Sequence, residues 1–350
     1  MGKKINCLSC LSLIEDTETI CPVCGKNVLG SVINERVLPP GIILNGRYLI
    51  GKVLGEGGFG ITYLGLDMNL QIKVAIKEYF PVSFAARNMK LNQGSLVHII
   101  GGEAEKFYKK GLNDYANEAN RLSQFAQLPG IVSVMNFFYE NNTAYIVMEY
   151  INGITLKEYL KKHNGRIHWK KAVDMMRPVV SSLKEVHKAG IIHRDISPDN
   201  IMITEQGQMV LIDFGSARTM EKDHAHTVIL KKAYAPLEQY QTNGDQGTWS
   251  DVYSLCATLY KMICGKNVPD AMAVASGQAH ILSLKTFDSS VSKEIDSTIQ
   301  KGLITDIEER IQTMDELEEC LYQGKKVKKN VKIDIQKNGK CAYRRRGIKK

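Results

Sequence analysis

His193-Arg194-Asp195-Ile196-Ser197-Pro198-Asp199-Asn200 is the stretch on which the reading of this 350-residue chain turns. Asn200 follows Asp195 by five residues, and Asp213-Phe214-Gly215 begins thirteen residues after Asn200. Ala235-Pro236-Leu237-Glu238 then closes a segment with few hydrophobic anchors. Towards the N-terminus, Gly55-Glu56-Gly57-Gly58-Phe59-Gly60 is a GxGxxG loop, a pattern that can equally open a dinucleotide-binding fold. Context decides, because the loop lies between two predicted strands rather than between a strand and a helix. Without side chains, its backbone can fold closely over phosphates. Seventeen residues beyond Gly60, Lys77 ends the run Val74-Ala75-Ile76-Lys77. A lysine on a rigid strand beneath a glycine flap can hold α- and β-phosphates.

The surrounding pattern is strands first, with one helix inserted, and then helices. Tyr48–Leu54, Ile61–Leu66 and Ile72–Lys77 are short β-branched or apolar runs between turn residues, predicting three antiparallel strands. Tyr108, Leu112, Tyr115, Ala119, Leu122 and Phe125 recur at spacings of three and four, which predicts an amphipathic helix. Ile131–Phe138 and Thr143–Glu149 predict two more strands, joined by Asn141-Asn142, and beyond Gly153 the pattern is mainly helical. That order predicts an α+β protein with two lobes. Apolar residues at 44% and charged residues at 24% allow a sizeable core and exclude wholesale disorder. No apolar run reaches the ~18–20 residues that cross a bilayer. The N-terminus has no signal-peptide stretch, so a cytoplasmic protein is expected.

The five motifs, in this order, resemble a eukaryotic-type protein kinase from about Tyr48 to Tyr322. Residues 193–200, Ala75-Ile-Lys-Glu-Tyr-Phe-Pro81 and Ala235-Pro-Leu-Glu-Gln-Tyr240 resemble a bacterial serine/threonine branch of that family. The resemblance implies a bilobal fold with a β-rich N-lobe and a helical C-lobe. It implies transfer of the γ-phosphate of ATP, with Mg2+ or Mn2+, to serine and threonine hydroxyls of the chain itself and of protein substrates. Asp195 would accept or orient the substrate hydroxyl proton, and Asn200 and Asp213 would hold magnesium. Lys77 would grip phosphate and pair with a glutamate of the inserted helix. The candidate is Glu118; Glu103 and Glu105, which precede the periodic stretch, are the alternatives. Arg194 would meet a phosphate or acidic partner, Glu238 would pair with Arg310, and Asp251 would hold the catalytic-loop backbone. The nucleotide would contact the loop residues Gly55, Glu56, Gly57, Gly58, Phe59 and Gly60, continuing to Ile61 and Thr62. Leu54, Ala75 and Met202 would form apolar walls for the adenine, with Met148 as gatekeeper and Glu149-Tyr150-Ile151 as the hinge.

The sequence departs from the family pattern in places. Ser197 stands where most serine/threonine kinases place a lysine that helps to neutralise the transferred phosphate, so catalysis is slowed or another cation substitutes. Ala233 replaces a common glycine, Thr62 replaces a valine, and the stretch from Phe80 to Phe107 is longer than usual. In the activation segment Thr227 is the candidate regulatory phosphosite, with Arg194, Lys231 and Lys232 as partners for its phosphate.

Two flanking segments complete the chain. Cys7-Leu-Ser-Cys10 and Cys21-Pro-Val-Cys24 are two CxxC knuckles separated by ten residues. Two such turns can complete a tetrahedral all-thiolate site, so residues 1–29 read as a ribbon holding structural Zn2+, with redox dithiols as the alternative. Residues 30–44, containing Pro39-Pro40-Gly41, read as a linker and 45–322 as the kinase domain. The tail, 323–350, carries 12 Lys+Arg and one acidic residue, which leaves 34 basic and 36 acidic residues elsewhere. The net charge of +9 therefore belongs to the tail, and the near-neutral body argues against a broad nucleic-acid face. A solvated tail, an anionic lipid surface, nucleic acid and the docking of acidic substrates are, in that order, the readings of that segment, and Asn338-Gly339 allows a small basic hairpin within it. The rival functions are a pseudokinase scaffold recruiting partners through ribbon and tail, a small-molecule kinase, and a nucleic-acid regulator.

Overall fold

The computed structural model describes residues 3–32, 34–87, 95–102, 104–214, the backbone of 218–219, 231–241 and 244–322. Gly215, Ser216, Thr227, Glu103 and the basic tail lie outside the described residues.

The three predicted N-terminal strands are β1 (Tyr48–Glu56), β2 (Gly60–Asp67) and β3 (Ile72–Tyr79). With β4 (Val134–Glu140) and β5 (Thr143–Glu149) they form one antiparallel sheet, ordered Ile43–Leu44, β1, β2, β3, β5, β4. Asn141 and Asn142 both take positive φ, 54° and 59°, the backbone that a two-residue hairpin turn requires. Helix α1 (Ala104–Leu122) covers the sheet with the face carrying Tyr108, Tyr115, Ala119 and Leu122. The Tyr79 ring meets Tyr108 and Tyr115, and the Tyr115 hydroxyl donates to the Lys77 carbonyl at 2.8 Å.

The C-terminal half is helical: α2 (Leu156–Lys162), α3 (Trp169–Lys188), α4 (Thr248–Cys264), α5 (Ala271–Ala275), α6 (Lys293–Gly302) and α7 (Met314–Tyr322). Thr155 and Glu158 form a capping box that starts α2. Helix α4 is buried along nearly its whole length and is the lobe's central post. A three-stranded sheet, Gly153–Thr155 with Ile201–Thr204 and Met209–Leu211, holds the chain on either side of the 193–200 loop.

Residues 30–44 do not behave as the linker expected from Pro39-Pro40-Gly41. Val37 and Leu38 are each 1% exposed, the Leu38 N–H donates to the Tyr63 hydroxyl at 3.0 Å, and Ile43–Leu44 extends the sheet. The apolar pair ahead of the prolines draws the segment onto the lobe. The long stretch after β3 forms a hairpin, Ala85–Arg87 with Val97–Ile99. Its Arg87 guanidinium is buried against the Glu78 carboxylate, which also accepts from the Tyr63 and Tyr145 hydroxyls at 2.8 Å. The N-terminal module packs onto β1 and β2: Leu11 is buried with Leu64 and Leu66, and Leu49 and Tyr150 close the cluster.

Candidate active site

The 193–200 loop is held from beneath by Asp251 of α4. Its carboxylate accepts the His193 and Arg194 N–H groups, both at 2.8 Å, and lies 2.7 Å from His187 Nε2. Arg194 sits at φ 67° and Asp213 at φ 64°, a left-handed backbone that costs a side-chain-bearing residue about 1–3 kcal/mol and persists only where its surroundings over-determine it. Asp251 is part of that over-determination. Burial would raise its pKa. The His187 hydrogen bond, the charges of His187 and His193, and the His193 N–H outweigh burial and lower it. A depressed aspartate contributes stability above its unfolded pKa, near 3.9, that is lost as pH falls through the lower folded value. Denaturant midpoints should therefore lose this contribution only below about pH 4, and Asp251→Asn should be less stable at pH 7 and lack that acid-side loss.

Asn200 donates through Nδ2 to the Asp195 carbonyl and to Asp195 Oδ2, both at 2.8 Å, so the two motif residues fix each other. His193 is buried, with Nε2 3.2 Å from the Ile212 carbonyl and its ring edge-on to Phe214 at 4.5 Å. These contacts join the loop to the segment ending in Asp213. Lys77, from the opposite lobe, forms an ion pair with Asp213 Oδ1. Desolvation works against the Lys77 ammonium, but the carboxylates of Asp213, Glu118 and Asp195 together raise its pKa. Glu118 lies one helical step from Tyr115, whose hydroxyl is bonded to the Lys77 carbonyl, so the Glu118 face of α1 lies over Lys77. Glu105, the alternative, pairs instead with Lys109 at 2.6 Å in the first turn of α1.

Strand register brings the expected nucleotide contacts together. Thr62 pairs with Lys77, and Leu64 and Met148 both pair with Ala75. Side chains alternate along a strand, so Thr62, Leu64, Ala75, Lys77 and Met148 share one face. Gly55 pairs with Thr62 and Glu56 with Ile61, which sets the glycine turn above Lys77. A Cβ at Gly60 would fall 2.4 Å from the Glu78 carbonyl oxygen, so only glycine allows this approach. At Gly55 and Gly58 a Cβ would meet nothing within 4 Å, which leaves space above the turn. Leu54 and Phe59 are 40% and 39% exposed at the rim, Glu149 is held by its N–H on the Ser133 carbonyl at 3.0 Å, and Ile151 follows half-buried. Met202 lies across from these on the C-lobe sheet, paired with Val210 and Thr155.

Below the site, Arg310 binds Glu238 at 2.8 and 3.2 Å, as the sequence led us to expect. Lys231, expected as a partner for a phosphate on Thr227, meets the 193–200 loop. Its Nζ donates to Asp195 Oδ2 at 2.9 Å and to Ser197 Oγ at 3.0 Å. The sequence signals for this contact are Ser197, which lacks the usual lysine, and the lysine pair before Tyr234; Thr227 lies outside the described residues.

The protein kinase domain family matches residues 48–322 of this chain. The chain belongs to the protein kinase family. The kinase is 30% identical over 283 residues to the serine/threonine-protein kinase PrkC of Bacillus subtilis, a match covering 79% of this chain and 40% of that protein. It is 31% identical over 234 residues to the serine/threonine-protein kinase PknA of Mycobacterium tuberculosis, covering 65% of this chain and 48% of PknA. The kinase thus spans less than half the length of these relatives. A solved structure titled PpkA-294 apo form superposes with a TM-score of 0.68 at 35% identity, covering 82% of this chain and all of that one. No helix among the described residues is long and apolar enough to cross a membrane.

The second candidate site is the four-cysteine cluster. Among the described residues, Cys7, Cys10, Cys21 and Cys24 are the group whose ligand atoms could share a metal, with all sulfurs within 4.8 Å of one another. Cys7 and Cys24 Sγ are 3.9 Å apart, and Cys10 and Cys21 Sγ are 3.7 Å apart. Four sulfurs at ~2.3 Å from a tetrahedral zinc lie about 3.8 Å from each other, so the residues fit the ion.

Proposed function

We propose that this chain is an active serine/threonine protein kinase, which transfers the γ-phosphoryl group of ATP to hydroxyls on itself and on protein substrates. The observation that carries the reading is the meeting, from both lobes, of Lys77 paired with Asp213 and of Asp195 hydrogen-bonded to Asn200, close enough for the Asp195 charge to act on Lys77. Asp195 takes the proton of the substrate hydroxyl while that oxygen bonds to the γ-phosphorus and the bond to the bridging oxygen of ADP breaks. Lys77 grips the α- and β-phosphates beneath the glycine turn, and Glu118 and Asp213 keep it charged and in place. Asn200, whose amide nitrogen is engaged with Asp195, would offer its side-chain oxygen, with Asp213, to Mg2+ or to Mn2+ in its place. The bound cation supplies charge neutralisation at the phosphates.

We read the cysteine cluster as a structural Zn2+ site, because all four sulfurs are spoken for and none of the four positions is left for a substrate. A four-thiolate metal cluster without disulfides suits a reducing compartment, which supports a cytoplasmic kinase domain. The strong positive charge of residues 323–350 supports contact with anionic membrane surfaces.

Phosphate transfer from radiolabelled ATP tests the main reading, with autophosphorylation and a generic basic protein as acceptors. Wild type should label protein, and Asp195→Ala and Lys77→Met should each lose at least about a thousandfold. Nucleotide binding without transfer in wild type would mark a pseudokinase instead.

A further inference from the structure

The 193–200 loop carries Ser197 where its family most often carries a lysine, and a neutral hydroxyl cannot offset the charge of a phosphoryl group in flight. The structure puts an ammonium at that place from elsewhere in the chain. Lys231 lies 34 residues from Ser197, yet its Nζ donates both to Ser197 Oγ at 3.0 Å and to Asp195 Oδ2 at 2.9 Å. Two acceptors, one of them the carboxylate next to the reacting hydroxyl, fix one nitrogen. Asp195 Oδ2 is thereby occupied twice, by Lys231 and by Asn200, which leaves Oδ1 as the oxygen presented to an incoming hydroxyl.

The backbone that carries Lys231 is firmly held. The Tyr234 and Ala235 N–H groups turn back onto the Lys231 carbonyl at 2.7 and 3.1 Å. Ser254 Oγ of α4 donates to the Tyr234 carbonyl at 2.8 Å, and Gln239 Nε2 donates to the Arg194 carbonyl at 2.9 Å. Helix α4 therefore sets the position of the lysine through Ser254, and of the loop it contacts through Asp251. With 33% of its side chain exposed, Lys231 is partly shielded but still open to the cleft.

We propose that Lys231 supplies, from the segment preceding Ala235, the positive charge that position 197 of the loop lacks. Its ammonium orients the Asp195 carboxylate for the substrate hydroxyl and offsets the negative charge that spreads over the phosphoryl oxygens during transfer. Ser197 is the hydroxyl counterpart that leaves room for the ammonium and accepts its hydrogen bond. The inference rests on the kinase reading of the site and adds to it a cation and a route by which it arrives.

The test moves the charge rather than only deleting it. Steady-state phosphate transfer is measured for wild type, Lys231→Met, Lys231→Arg, Ser197→Lys and the double variant Ser197→Lys/Lys231→Met, with a melting curve for each. Lys231→Met should lose on the order of a hundredfold in kcat with KM for ATP little changed, the scale of losing one preorganised charge-stabilising donor. Lys231→Arg should keep most of the rate. The double variant should recover roughly tenfold over Lys231→Met, because the ammonium then reaches the same place from the loop. A Lys231→Met rate equal to wild type overturns the proposal. So does a well-folded double variant that recovers nothing, since Lys231 would then matter only as packing. If Lys231→Met does not fold, a folded double variant decides: a rate within about tenfold of wild type supports the proposal, and a rate about a hundredfold lower overturns it. A wild type that transfers no phosphate to any acceptor overturns the kinase reading itself, and the proposal with it.

Discussion

If the cysteine cluster holds the proposed zinc, stripping it should lower the melting temperature of the whole chain and raise KM for ATP by roughly tenfold, the equivalent of about 1.4 kcal/mol. The module of residues 3–29 has almost no core of its own: Cys7, Ile14, Cys21 and Val28 are its buried apolar residues, and two of these are ligand candidates. A segment of this size needs a staple such as a metal, and structural zinc contributes about 10–16 kcal/mol to the folding of comparable modules. When it unfolds, Leu11 leaves Leu64 and Leu66, and each uncovered leucine side chain costs up to about 1.5–3 kcal/mol. The damage reaches the nucleotide because of the sheet register. Leu64 pairs with Ala75, which also pairs with Met148, and Tyr150, in the same cluster as Leu11, directly follows Glu149. Melting curves and KM for ATP, measured after chelation, dialysis and resupply of magnesium, check this, with Cys10→Ser as the genetic equivalent. Restoring zinc should reverse both changes. If neither moves, the four sulfurs hold nothing on which the fold depends.

Arg310→Met should cost about 3–5 kcal/mol, because it leaves the Glu238 carboxylate buried without its counter-charge. The side chains of this pair are 0% and 2% exposed. Arg310 also donates to the carbonyls of Ile304, Thr305 and Trp249, and lies over the Tyr253 ring at 5.1 Å. Losing one residue therefore strips the end of α4 and the segment around Glu238 together. For a domain of this size the melting temperature should fall by roughly 10 °C. Adding Glu238→Gln should return part of the loss, since the charge without a partner is then gone as well. Calorimetry of the two variants checks this. An Arg310→Met protein within about 1 kcal/mol of wild type would mean that water reaches Glu238 after all.

Features fixed by local pattern were legible in the sequence. The strands around the glycine turn, the α1 stripe and the turn at Asn141-Asn142 each follow from residue types a few positions apart. Asp251 and the Glu238–Arg310 pair were legible for a different reason, since they belong to motifs whose order along the chain is distinctive. What escaped were contacts between distant residues of ordinary type. Glu78 and Arg87 look like solvated charges, and only the hairpin after β3 turns them into a buried pair with two tyrosine hydroxyls. Lys231 looks like half of a basic doublet, and no periodicity could send it to Asp195. Pro39-Pro40-Gly41 has the composition of a linker, and the burial of Val37 and Leu38 just before it depends on a sheet that forms later in the chain.

The covering of Leu64 and Leu66 by Leu11 also bears on where this kinase can be cut. The family boundary at residue 48 is a boundary of sequence likeness, and the physical unit is larger. A fragment starting there would lose the Leu38 N–H from Tyr63, the Ile43–Leu44 edge strand and the Leu11 cover of Leu64 and Leu66. It would present a partly uncovered leucine pair beside Tyr150, a surface prone to self-association. The smallest piece that keeps its solubility should begin ahead of Cys7, which makes the four-cysteine module a part of the kinase body and not an accessory hung from it.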